Sequence, residues 1–125
     1  MTHTIFVAGS GGIGTAVAIL LRHVWDEETD ILFGDRLLFI AQKACADVEK
    51  IGEAEGTLSA IEMTGGWADN ISHCDILLDC LPGSLAPQMA RLAIKNNMHY
   101  VNLTEYVAET KEILSLAEGA QVGLA

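Results

Sequence analysis

Six residues near the amino terminus, Gly9-Ser10-Gly11-Gly12-Ile13-Gly14, combine types and spacing that could do chemistry. Glycines at 9, 11 and 14 spell GxGxxG. In such a loop the first glycine permits a tight turn, the second lets backbone come close to a charged group, and the third lets a helix pack against a strand. If a helix opens there, its first N–H groups and the positive end of its macrodipole can hold phosphate without a cationic side chain. The pattern alone is weak, so its flanks decide. Before it, Thr4 to Ala8 (TIFVA) is a short apolar run; after it, Ile13, Ala16, Val17, Leu20, Leu21 and Val24 recur at helical spacing. Strand, glycine turn and helix are the context in which GxGxxG holds the pyrophosphate of NAD or NADP. A merely tight turn is the alternative.

A second chemical position lies at the end of the next apolar run, Asp30 to Gly34 (DILFG). Asp35 follows Gly14 by 21 residues, close to the offset of about 20 at which an acid accepts hydrogen bonds from the adenosine ribose. The competing role is a helix N-cap. Arg36 pulls in the other direction, since a guanidinium can pair a 2′-phosphate or stack on adenine. The balance favours NAD, because Asp35 would repel that phosphate.

These positions need a scaffold, and the rest of the chain supplies one. Leu38, Ile40, Ala41, Ala44 and Val48 outline a second helix, Leu58 to Met63 a third strand, and Asp75 to Leu81 (DILLDCL) a fourth, stopped by Pro82 and Gly83. Pro87 sits near the start of a helix with Met89, Leu92, Ala93 and Ile94, which Asn96-Asn97 ends. Tyr100 to Leu103 is a fifth strand, a helix runs from about Val107 to Glu118, and Gln121 to Ala125 (QVGLA) opens a sixth strand. Strands alternating with helices need crossovers, which give a parallel sheet covered on both faces. The fold class is therefore α/β, a doubly wound Rossmann sheet of about six strands in one domain, residues 1–125.

Composition narrows the partners. Half of the 125 residues are hydrophobic, enough for a packed core. Seventeen acids against seven bases give a formal charge of -10, which repels nucleic acid and anionic membranes but leaves a locally held dinucleotide open. Three cysteines without a CxxC pair fit reduced thiols and a cytoplasmic setting. No run reaches the roughly 18 apolar residues of a membrane span. His3, His23, His73 and His99 lack metal-ligand spacing, and Cys74 and Cys80 have no partnering base.

Four stretches, IFVAGSGGIGTAVAILL (5–21), FGDR (33–36), CDILLDCLPGSLAPQMARLAIKNNMHYVNLTEY (74–106) and AEGAQVGLA (117–125), resemble the N-terminal nucleotide-binding domain of the saccharopine dehydrogenase and reductase family. The third is the most specific, because a general dinucleotide fold does not require LPG after its fourth strand or YVNLTE at its fifth. The resemblance implies an NAD(P)-dependent oxidoreductase acting at the C–N bond of a small amino-acid-derived substrate. It also implies that Leu81, Pro82, Gly83, Asn102, Leu103 and Thr104 border the nicotinamide end of the cofactor. An ordinary turn at 81–83, and helix capping by Asn102 or Thr104, remain open alternatives; Glu105 reads as a solvated or capping acid.

The family's substrate-binding and dimerising region is expected downstream, so no catalytic residue can be carried over and the isolated chain is expected to be inactive, with a homodimer compatible with the whole protein. Two other readings stay in view: a regulatory NAD-sensing module of the potassium-transport type, which YVNLTE disfavours, and a nucleotide-free scaffold, which the intact glycine loop disfavours.

Overall fold

Five of the apolar runs become parallel strands, each reached through a crossover on one face or the other. The computed structural model describes residues 2–25, 27–103 and 107–125, with the side chains of the last stretch described from 110 onward. The strands are β1 (His3–Ala8), β2 (Thr29–Asp35), β3 (Leu58–Glu62), β4 (Ile76–Asp79) and β5 (His99–Asn102). The helices are α1 (Gly12–His23), α2 (Leu38–Glu49), α3 (Ala86–Lys95) and α4 (Val107–Ala117). The sheet order is β3-β2-β1-β4-β5, parallel throughout. The chain winds outward from β1 to β3, then crosses back to β4. That reversal leaves a crevice beyond the carboxyl ends of β1 and β4, where open α/β sheets bind ligands.

Alternation along β1 divides the core in two. Ile5 and Val7 pack with Ala18 of α1 and Ala41, Ala44 and Val48 of α2; Phe6 and Ala8 pack with Met89, Ala90 and Ala93 of α3 and Ile113 of α4. Successive strand residues face opposite ways, so burial on both faces explains the unbroken apolar runs.

Three expectations need adjustment. The sixth strand is only an isolated parallel bridge between Tyr100 and Leu124, so among the described residues the sheet has five strands. β4 ends at Asp79 rather than Leu81, because the Asp79 carboxylate takes the Leu81 N–H at 3.0 Å and turns the chain toward Pro82. The inward face of α1 also differs from the simple apolar stripe: Gly14 and Ala18 are buried, Val17 and Leu21 partly so, while Ile13, Leu20 and Val24 are exposed. Small residues bring this helix close to the sheet, which leaves larger ones outside. Among the described residues no helix is long and apolar enough to cross a membrane.

Candidate functional site

The glycine loop contains two kinds of glycine. Gly9 has φ +92°, and a Cβ there would lie 2.9 Å from the Cys80 carbonyl oxygen. At Gly14 a Cβ would lie 2.3 Å from the Gly9 carbonyl oxygen. Both are required by the chain's own packing. Around Gly11 and Gly12, by contrast, nothing lies within 4 Å of a Cβ position. Gly11 is the N-cap of α1, no side chain caps the helix, and the first backbone bond into it runs from Thr15 N–H to the Gly11 carbonyl at 3.0 Å. The first N–H groups of a helix have no intrahelical partner, and here no side chain caps them, the arrangement a pyrophosphate needs.

Ser10 and Asp35 lock this loop to the end of β2. The buried Ser10 hydroxyl donates to the Gly34 carbonyl at 3.0 Å, and its N–H donates to Asp35 Oδ2 at 3.1 Å. Asp35 Oδ1 accepts the Leu37 N–H at 3.1 Å. The aspartate thus makes a local turn just before α2, while Leu37 occupies the N-cap position. Each carboxylate oxygen keeps a second lone pair for a ligand hydroxyl.

A cleft of about 300 Å³ joins Asp35 and Arg36 to Leu81 and Pro82, with Met63 and Leu85 completing its wall. Two segments singled out in the sequence, 46 residues apart, therefore meet across the switch point. Arg36 is exposed and makes no ion pair with any described residue. Met63 and Leu85 escaped sequence reasoning. Met63 had a positional signal, since it directly follows β3; Leu85 had none. A groove of about 370 Å³ continues from Ser10–Gly12 between α1 and α2, where Lys43 is paired with Asp47 at 2.6 Å.

The remaining expected residues sit apart from the Asp35 cleft. Gly83 is buried in a 3-10 turn, Gly83–Leu85. Asn102 lies opposite Asp79 in the β4–β5 register, and its Nδ2 donates to the Tyr100 hydroxyl at 3.3 Å. Leu103 is exposed at the end of β5. Thr104 and Glu105 fall outside the described residues.

Below these loops, Asp79 is buried and held above the usual carboxylate range by desolvation, against the opposing pull of its hydrogen bonds from Tyr100 and Leu81. Burial, with Asp79 nearby, raises Tyr100 far above an ordinary phenol. Burial also pushes Cys74 and Cys80 up to about 11, so both are thiols at neutral pH and poor nucleophiles. Among the described residues no group of three or more His, Cys, Asp or Glu side chains could hold a metal.

The profile of the saccharopine dehydrogenase NADP-binding domain matches residues 5–124. The chain belongs to that family. Solved structures agree on the fold. The lactate dehydrogenase of Cryptosporidium parvum superposes with a TM-score of 0.70 at 17% identity, covering 93% of this chain and 40% of that one. Saccharopine dehydrogenase (L-Glu forming) from Saccharomyces cerevisiae gives 0.66 at 15%, covering 89% and 24%. Malate dehydrogenase from Plasmodium falciparum, solved in complex with NADH, gives 0.68 at 14%, covering 93% and 40%. No curated protein matches the chain. The chain spans less than half the length of these structures. Family membership, the Rossmann sheet and the open glycine loop together support a nicotinamide dinucleotide as the ligand class.

Proposed function

We propose that this domain holds NAD(P), with NAD favoured, for an oxidoreductase that exchanges hydride at the C–N bond of a small amino-acid-derived substrate. The observation that carries the reading is the empty space at Gly11 and Gly12 beside an uncapped helix start. A packed turn would need glycine only at 9 and 14. The N–H groups at the start of α1 bind the pyrophosphate and Asp35 accepts from the adenosine ribose hydroxyls; Leu81 and Pro82, expected at the nicotinamide end, are assigned instead with Met63 and Leu85 to the wall of the adenosine half, because they share a cleft with Asp35 and Arg36. Asn102, which ends β5, and Leu103 after it are assigned to the nicotinamide side of the switch point; Thr104, expected with them, lies outside the described residues.

When bound, the cofactor supplies two-electron hydride exchange at its nicotinamide ring. Substrate binding and proton transfer belong to a further region of the full-length protein, which is cytoplasmic on this reading and compatible with a homodimer. The present chain then binds dinucleotide without turnover.

Cofactor choice provides the test. A hydrogen bond to a charged group is worth about 1.5–3 kcal/mol, so Asp35→Ser should weaken NADH binding roughly ten- to a hundredfold. It should also shift preference toward NADPH, because Arg36 is free to pair the 2′-phosphate. Titration calorimetry with both cofactors decides. No heat from either with folded protein overturns the binding assignment, and a parent that prefers NADPH overturns the weighting of Asp35 over Arg36.

A further inference from the structure

A polar cluster bonded to both ends of the 81–86 segment is explained by neither the glycine loop nor the ribose position. Tyr100 is fully buried, and its hydroxyl lies 2.7 Å from Asp79 Oδ2 and 3.2 Å from the Ala86 carbonyl oxygen. Asn102 Nδ2 donates to the same hydroxyl at 3.3 Å. Asp79 Oδ1 accepts the Leu81 N–H at 3.0 Å. The cluster thus grips both ends of the segment from Leu81 to Ala86, two of whose residues wall the cleft beyond Leu81 itself: Pro82 and Leu85.

A count of protons sharpens this. A phenol has one hydrogen to donate, yet two acceptors lie within its reach. If Asp79 is ionised, Tyr100 donates to it and the bond to Ala86 is lost. If Asp79 carries the proton, it donates to Tyr100, Tyr100 donates to Ala86, and the second lone pair of the hydroxyl accepts from Asn102. The Tyr100 hydroxyl then uses its proton and both lone pairs.

We infer that Asp79 and Tyr100 are positioning residues for the ligand cleft, fixing the 81–86 segment from below through a relay that is complete only when Asp79 is protonated. Desolvation raises the acid in the required direction. The groups facing Asp79 are Tyr100 and Asn102 from β5 and the Cys80 thiol beside it; no cationic side chain among the described residues pairs with it. As pH rises through the raised pKa, Asp79 ionises, the Ala86 bond opens, the segment loosens and dinucleotide affinity falls. The same sign holds for stability: the folded state retains the proton longer than the unfolded one, so this contribution is present at low pH and is lost as pH rises through the folded pKa.

The inference rests on the dinucleotide reading for its purpose but can be measured without ligand. Protection of the amides of Leu81 and of Gly83 to Ala86, measured at low pH where Asp79 is protonated, is expected to fall about tenfold in Tyr100→Phe, the fold-change of a lost hydrogen bond of ordinary strength. Asp79→Asn retains an acceptor for Leu81 and a donor for Tyr100, so its protection factors should match those of the parent at low pH, where Asp79 is protonated, and should not fall as pH rises. NADH affinity should follow the same ranking. Parent-like exchange in Tyr100→Phe, or loosening by Asp79→Asn as large as that of Tyr100→Phe, overturns the relay. Should Tyr100→Phe not fold, the Asp79 carboxyl carbon in the parent, followed by NMR, is decisive: a midpoint at or below the ordinary value of about 3.9 overturns it. A parent with the expected exchange pattern and no NADH binding instead overturns the proposed function alone.

Discussion

At the amino ends of the strands, side chains of the protein take up the backbone's polar groups. Asp75 Oδ2 accepts the Thr4 N–H at 2.9 Å, and Asp30 Oδ1 accepts the Thr57 N–H at 2.7 Å. Arg22 donates to the carbonyls of Gly56 and Ala54 at 3.0 and 3.2 Å. Gly56, with φ +93°, sits so close to the Thr29 carbonyl that a Cβ would lie 2.2 Å from its oxygen. At the carboxyl ends the pattern reverses around α1, where the helix start is uncapped and two glycines face open space. Side chains also tie the loops at the carboxyl ends, through Ser10, Asp35 and Asp79, but there the start of α1 is left for something else. Glycine content does not mark the site; the open space at Gly11 and Gly12 beside an uncapped helix start does.

Substitution can break this contrast at three strengths. The largest effect is expected at a filled position of the glycine loop itself: Gly14→Ala puts a methyl against the Gly9 carbonyl and should cost about 3 kcal/mol of stability, the upper range for overpacking. Urea unfolding checks it, and a parent-like midpoint would mean that α1 can retreat freely from β1. Next, Gly11→Val adds a branched side chain to open space at φ −76° and ψ −163°, a backbone conformation that valine adopts readily. Stability should stay within about 0.5 kcal/mol of the parent, while NADH binding should fall by at least about a hundredfold. Undiminished affinity would make the loop no more than a turn. The smallest effect belongs to the amino ends of the strands: Arg22→Met removes two bonds to carbonyls and should cost about 2 kcal/mol by urea unfolding with no change in cofactor affinity of the folded protein. A change in affinity there would contradict the independence of the two ends.

Much of this division was legible in the sequence, and the limits have physical causes. GxGxxG and Asp35 could be found because local backbone requirements and a fixed spacing define them. The meeting of Asp35 and Arg36 with Leu81 and Pro82 could not, because it depends on β1 lying between β2 and β4. Leu85 gave no sign, as an exposed leucine beyond a turn resembles any other. The shortened β4 was hidden for a related reason: Asp79 reads as one polar residue in an apolar run, and only its capture of the Leu81 N–H shows that the strand stops there. Apolar periodicity misplaced the inward face of α1, since the positions nearest the sheet are those where almost nothing fits.

The stitching of Ser10 to both Gly34 and Asp35 has a consequence for how affinity divides among the parts of a ligand. The Asp35 carboxylate helps hold the Ser10 N–H in place, so the phosphate loop and the ribose acceptor share one mechanical frame. Groups tied in this way do not contribute independently. A double-mutant cycle pairing Asp35→Ser with Gly11→Ala should therefore give a non-zero interaction energy, and inorganic pyrophosphate, which has no ribose to lose, should still register the change at position 35.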